Sequence, residues 1–197
     1  KVVRFVGSDK VSTEQDWTDS KNKLDNAMNN LFIEGGQSVV VDALYYAAED
    51  VVKRYDANNE QRFAIVLISD MEDRASKRKD IADLIGSRNI PIHIVGLTKE
   101  LGTNVQGSSR IRKFLEESII RTAMVTGGTP FILGQSANDA DYQTAVKSIV
   151  YELRSQYVIG YEAKNVNKKT VNRTIQINAK DGAKGEKRSV MSRTNII

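Results

Sequence analysis

The sequence predicts an α/β domain in which a parallel sheet has helices on both faces, followed by a small antiparallel β extension. Strand and helix signals alternate over residues 1–155, a pattern typical of parallel sheets with helical crossovers. Two strand-like segments are apolar without alternation, as strands covered on both faces are. After Ser155 the helical periodicity stops and strand signals separated by polar turns remain.

The first part of the chain predicts two extended segments and two helices. Val2–Val6 is a short β-branched strand, and a weaker extended stretch follows at Val11–Trp17. Thr18 or Asp19 can cap a helix over residues 20–32. Apolar residues at helical spacing predict a second helix with a broad buried face, marked by Val40, Leu44, Ala47, Ala48, Val51, Val52 and Tyr55.

Three more strands and three more helices alternate over the next 90 or so residues. The predicted strands are Phe63–Ser69, Ile92–Leu97 and Phe131–Leu133. The predicted helices are marked by Ile81, Leu84 and Ile85, by Ile111 to Ala123, and by Tyr142 to Leu153. We expect Val2–Val6 to join the three strands in one parallel sheet.

The remaining residues predict an extension rather than a second domain. Residues 156–162, 171–179 and 188–193 have strand patterns, and Asp181-Gly182 is a turn signal. The predicted organisation is one α/β domain over residues 1–155, with residues 156–197 packed on the same domain as a β extension.

Composition excludes several classes of function. The chain has no cysteine and one histidine, His93, so it cannot by itself build disulfides, thiolate or histidine metal clusters, or a Ser-His-Asp triad. His93 lies inside a predicted strand, which favours a core or edge residue with satisfied hydrogen bonds over a functional one. No apolar run is long enough to predict a transmembrane segment. Residues 161–197 carry nine basic and three acidic side chains, but they lack a nucleic-acid motif, so we expect a solvated surface and no nucleic-acid partner.

Two polar loops are the candidate site. Ser69-Asp70-Met71-Glu72-Asp73 directly follows the most apolar strand, at the end of the sheet where ligands of parallel α/β folds bind. A carboxylate there needs a cation or hydrogen-bond donors, although Asp70 can also cap a helix or be solvated. Gly35-Gly36-Gln37-Ser38 precedes the second helix. Ser38 can cap that helix or offer a hard oxygen to Mg²⁺.

Together these segments resemble the von Willebrand factor type A domain. Gly36-Gln37-Ser38 followed by Asp42-Ala43-Leu44 is similar to the family's Gly-x-Thr and Asp-Ala-Leu segment, and Ser69–Asp73 is similar to its Ser-Asp-Gly-x-Asp loop. Residues 152–161, with the sequence ELRSQYVIGY, resemble a bacterial subgroup of exported proteins with such domains. The resemblance covers nearly the whole chain. It implies a Rossmann-like fold and an extracellular or periplasmic location.

A metal ion-dependent adhesion site is what this resemblance implies. Ser38 stands where the family has a Thr, and Asp70 stands where it has the Asp of its third loop, so both are expected to bind Mg²⁺ or another hard divalent cation. The expected binding-loop residues are Gly36, Gln37, Met71 and Asp73. In the family, an acidic side chain of a protein partner often completes the coordination. The implied function is therefore protein binding or cell adhesion, and not catalysis.

Two departures from the family leave an alternative open. The chain contains no Asp-x-Ser-x-Ser, and Met71 replaces the usual Gly, which suggests a loop less suited to close approach or to positive φ. A structural or assembly scaffold without metal is therefore the second hypothesis. The family strand that carries Asp-x-Ser-x-Ser lies between those matching Val2–Val6 and Phe63–Ser69. We expect another segment or chain to supply it, and Ser38 and Asp70 to lie at the same end of the sheet.

Overall fold

The computed structural model describes residues 1–6, 10–32, 38–54, 61–73, 76, 90–98, 108–134, 136–157, 173–174, 176–188, 190 and 195–196. In chain order the elements are β1 (Val2–Val6), β2 (Lys10–Gln15), α1 (Lys21–Asn29), α2 (Val40–Arg54), β3 (Ile65–Ser69), β4 (Ile92–Leu97), α3 (Ser108–Thr126), β5 (Pro130–Leu133), α4 (Asp139–Arg154), β6 (Arg173–Thr174) and β7 (Asn195–Ile196). The chain divides into two compact units. One comprises Lys1–Arg62 with Met71–Leu84, and the other comprises Phe63–Asp70 with Ile85–Ile197.

The first unit is built on a β-hairpin. β1 pairs antiparallel with β2, with Val6 opposite Lys10, and both α1 and α2 contact this hairpin. The prediction that Val2–Val6 joins the parallel sheet is therefore wrong for the described residues, where β1 and β2 form a two-stranded sheet of their own. The physical reason is chain entropy, because closing the short connection from β1 to β2 costs less than pairing with a strand far along the chain.

The two helices of this unit differ in how closely they follow the sequence pattern. α2 matches the prediction and buries Val40, Ala43, Leu44, Ala48 and Val51. α1 is shorter than the predicted helix over residues 20–32, and its N-cap is Ser20 rather than Thr18 or Asp19. The Thr18 hydroxyl instead accepts the Ser20 N–H at 3.1 Å.

The second unit is a three-stranded parallel sheet in the order β3-β4-β5, with α3 on one face and α4 on the other. A Cβ on Gly96 of β4 would lie 2.4 Å from Ile119 Cδ1 of α3. Val95, the neighbour of Gly96, packs with Leu133 and with Ile149 of α4. Because successive strand residues point to opposite faces, α3 and α4 cover opposite sides of the sheet. The α/β class and the three parallel strands are confirmed.

One edge of this sheet is open within the described residues. The Ile65 N–H donates to Pro91 O at 3.0 Å, so the backbone groups of Ile65 and Leu67 point toward β4. Those of Val66 and Ile68 point the other way, where no described strand pairs with β3. The side chains of Val66 and Ile68 are 46% and 53% exposed. Among the described residues α4 lies over β5 and leaves this face of β3 exposed, so the expectation that β3 is covered on both faces is wrong for this part of the chain.

The C-terminal extension contains a short antiparallel pair. β6 and β7 pair with Arg173 opposite Ile196. Residues 176–188 and 190 are not in strands, so the predicted strands over 171–179 and 188–193 are at most partly formed. The turn lies later than the predicted Asp181-Gly182: the Gly182 N–H donates to Glu186 O and the Gly185 N–H donates to Gly182 O, both at 2.9 Å. Gly185 allows the turn, because its φ of 75° is left-handed. The predicted helix around Ile81–Ile85 and most of the strand 156–162 lie outside the described residues.

Candidate binding site at the carboxyl end of the sheet

Asp70 lies at the carboxyl end of β3, as the sequence predicts. It directly follows Ser69, the last residue of the strand. Ser69 is buried, and Asp70 is half-buried. Mg²⁺ keeps several water ligands and often takes only one or two carboxylates from a protein. A single partly accessible carboxylate at the end of a parallel strand fits that coordination.

Met71 has the backbone conformation that the family's glycine would supply. Its φ is 63°, inside the left-handed region that non-glycine residues rarely adopt. Positive φ is thus present in the loop, although a residue with a Cβ is less suited to it than glycine. The left-handed conformation costs a residue with a Cβ about 1–2 kcal/mol, and it persists only where the surrounding structure enforces it.

Asp73 binds the first turn of α2. Its Oδ2 accepts the Val41 N–H at 2.8 Å, and its Oδ1 accepts the Ser76 N–H at 3.0 Å. The Ser76 hydroxyl in turn accepts the Asp42 N–H at 3.1 Å. Free N–H groups at a helix start favour oxygen acceptors, and here a distant loop supplies them. Each carboxylate oxygen of Asp73 thus has a backbone donor.

Ser38 lies just before α2 but does not take the capping position. The helix starts at Val40, and the Val39 carbonyl accepts the Ala43 N–H at 2.9 Å. The N–H groups of Val41 and Asp42 bond to Asp73 and Ser76, as described above. Ser38 is half-buried. Gly36 and Gln37 lie outside the described residues, and a shared site of Ser38 and Asp70 stays a prediction.

Thr98 is a polar residue at this end of the sheet that sequence reasoning missed. It directly follows β4 and is fully buried, and in the described part of the chain its Oγ1 has no hydrogen-bond partner. A Cβ built on Gly134, which follows β5, would lie 4.0 Å from that oxygen. The sequence did contain a signal for Thr98, because it is a polar residue directly after the apolar run Ile92–Leu97. Buried hydroxyls without a hydrogen-bond partner are uncommon. Thr98 therefore places an unsatisfied hydrogen-bonding group at this end of the sheet.

His93 is buried at the opposite end of β4, as the sequence predicts for a core residue. It is 1% exposed, and its Nδ1 accepts the Thr129 N–H at 3.2 Å. Glu152 Oε2 lies 3.5 Å from the same nitrogen. Burial lowers the pKa of His93 below its ordinary 6.5, and the charge of Glu152 opposes part of that change. Sequence reasoning found neither partner, because both are far from His93 in the chain.

Across the described ranges, no group of three or more His, Asp or Glu side chains is placed to hold a metal ion. No described helix is long and apolar enough to cross a membrane. Comparisons of this chain with family models, with curated proteins and with solved structures gave no match. The resemblance to von Willebrand factor type A domains therefore rests on the sequence motifs alone.

Proposed function

We propose that this chain is a protein-binding module that recognises its partner at the carboxyl end of the sheet. A hard divalent cation such as Mg²⁺ would be held by Asp70 and, as the resemblance implies, by Ser38. An acidic side chain of the partner would complete the coordination. The observation that supports this proposal is the turn after Asp70. Met71 has a positive φ there, although it is not a glycine.

In this proposal the cation links two anionic oxygens and activates no nucleophile. Asp70 contributes one charge and one or two oxygens, and water fills the positions that the protein leaves open. The oxygens of Asp73 accept the N–H groups of Val41 and Ser76. Asp73 would hold the loop against α2 while Asp70 contacts the cation.

Calorimetric titration with MgCl₂ tests the metal site. The wild-type protein is expected to bind Mg²⁺, and Asp70→Asn is expected to abolish the heat because the amide carries no charge. Asp25→Asn, an exposed change on α1, is the matched control and should leave binding unchanged. A wild-type protein that takes up no Mg²⁺, or an Asp70→Asn protein that binds as well as Asp25→Asn, would contradict the metal proposal.

A structural or assembly scaffold without metal is the second candidate, and the open edge of β3 favours it. Val66 and Ile68 present outward-facing backbone groups and apolar side chains, and such edges readily pair with another strand. We infer that a further strand, from another segment or another chain, pairs with this edge.

Amide hydrogen exchange tests the added strand residue by residue. If the edge is covered in solution, the amides of Val66 and Ile68 exchange as slowly as that of Leu67, which faces β4. If it is open, Val66 and Ile68 exchange much faster than Leu67, and the inference fails. Repeating the measurement over a range of protein concentrations separates a second copy of the chain from an internal segment, because only pairing between copies depends on concentration.

A further inference from the structure

Three elements of the second unit meet at a buried histidine. Thr129, just before β5, donates its N–H to Nδ1 of His93 in β4. A nitrogen that accepts a hydrogen bond carries no proton, so the proton of the neutral imidazole is on Nε2. That nitrogen is buried and has no hydrogen-bond partner in the described part of the chain.

Glu152, in the last turn of α4, completes the group. Its Oε2 accepts a hydrogen bond from the Thr129 hydroxyl and also lies 3.5 Å from His93 Nδ1. Thr129 thus uses both its N–H and its hydroxyl, one toward β4 and one toward α4. The C-terminal end of α4 is thereby joined to the start of β5 and to β4.

We propose that His93, Thr129 and Glu152 form an acid-sensitive latch that joins α4 to the amino-terminal edge of the sheet. When the imidazole takes up a proton from solvent at Nδ1, that nitrogen changes from an acceptor to a donor. The Thr129 N–H then faces another donor and loses its hydrogen bond to Nδ1. Glu152 Oε2 becomes the acceptor for Nδ1–H and must be shared with the Thr129 hydroxyl. Acid therefore rearranges all three contacts at once.

Glu152 is the charged group that faces His93 in the described residues. On the same face of the sheet, β3 places Val66 opposite His93, and β5 adds Phe131. These side chains carry no charge and offer the imidazolium no hydrogen-bond acceptor. Burial lowers the pKa of His93, and Glu152 raises it by less. The latch is therefore expected to stay closed at neutral pH and to respond below pH 6.5.

The single histidine makes the latch directly measurable. A pH titration followed by ¹⁵N NMR of the imidazole reports only on His93, because the chain has no other histidine. We expect a midpoint below 6.5, the Nε2–H tautomer in the neutral form, and a Thr129 amide signal that shifts with the same midpoint. Far-UV circular dichroism at each pH verifies that the protein stays folded.

Two variants separate the latch from simple burial. Glu152→Gln removes the charge that stabilises the imidazolium, so the midpoint should fall further. Glu117→Gln is the control, because Glu117 forms an exposed ion pair with Lys113 on α3, and its midpoint should not change. Thr129→Val keeps the backbone N–H but frees Glu152 Oε2 for Nδ1–H, so the midpoint should rise, and it replaces Glu152→Gln if that variant does not fold.

Several results would overturn the latch. These are a midpoint at or above 6.5, an Nδ1–H neutral tautomer, or a Glu152→Gln midpoint equal to that of Glu117→Gln. A Thr129 amide signal that does not follow the titration would also overturn it, since His93 would then be a buried histidine that titrates without changing its neighbour.

Discussion

Gly128 is the position where adding one methyl group should disturb the second unit most. α3 ends in a motif in which the Gly127 N–H donates to Met124 O and the Gly128 N–H donates to Ala123 O, with Gly127 at a φ of 80°. The φ of Gly128 is not positive, so a substitution there acts through space alone. A Cβ on Gly128 would lie 2.1 Å from Ile92 O, 2.4 Å from Ile92 C and 2.9 Å from His93 N.

The size of the effect of Gly128→Ala follows from what must move. All three close atoms belong to the backbone of β4, so no side-chain rotation relieves the contact. The shift would strain the bond from the Ile92 N–H to Thr126 Oγ1, now 3.0 Å long. Overpacking costs about 1–3 kcal/mol and a lost hydrogen bond about 1 kcal/mol. Alanine also lowers the conformational entropy of the unfolded chain, which stabilises the variant by about 0.4–1 kcal/mol. The net decrease in the free energy of unfolding is therefore about 2 kcal/mol.

Urea and thermal unfolding measure this loss. A change of about 2 kcal/mol should lower the melting temperature by about 4–8 °C in a chain of this length. Gly134→Ala is the control, because its nearest atom is Thr98 Oγ1 at 4.0 Å and its φ is not positive. It should be neutral or slightly stabilising. If Gly128→Ala is as stable as Gly134→Ala, the close approach of the α3 end to β4 is not present in solution.

Three other substitutions have expected outcomes. Met71→Gly should raise the free energy of unfolding by about 0.5–1 kcal/mol, because relief of the left-handed strain exceeds the entropy cost of glycine; an unchanged urea midpoint would contradict the strain. Asp73→Ala should lower it by about 1 kcal/mol through loss of the acceptor for Val41, again by urea unfolding, and no loss would show that the contact contributes nothing. With its lowered pKa, His93 favours the neutral form when folded, so the wild-type protein should lose stability relative to His93→Phe as pH falls below 6.5; a difference independent of pH would contradict this.

Local patterns predicted the three-stranded sheet of the second unit and the two helices that pack on it. β4 and β5 are short apolar runs bounded by turn residues, and α3 and α4 show helical periodicity with glycine and asparagine near their ends. These signals lie within a few residues of the element that they define. The same kind of signal led to the wrong sheet for β1. A run of β-branched residues has the same sequence pattern whether it forms a hairpin or a strand of a parallel sheet. Only the partner distinguishes the two, and the partner is not a local property.

The sequence predicted where the residues of the candidate site lie better than it predicted what each residue contacts. Asp70 and Asp73 are three residues apart in one loop, and the resemblance assigns Asp70 to the metal and Asp73 to the binding loop without naming a contact for Asp73. The structure supplies that contact, since Asp73 accepts the N–H groups of Val41 and Ser76. One of these donors lies more than 30 residues away in the chain, at the start of α2, so no window around the loop could reveal it.

Met71 shows how a contact between residues far apart in the chain can override the conformational preference of a single residue. A left-handed residue with a Cβ is unfavourable locally, and the sequence pattern therefore predicts a different backbone. The loop nevertheless has a φ of 63° at Met71, two residues before the Asp73 carboxylate that is bound to α2. A contact of about 1 kcal/mol is comparable to the strain that it helps to offset. The conformation of Met71 therefore depends on the contact of Asp73 with α2, and the loop sequence alone does not determine it.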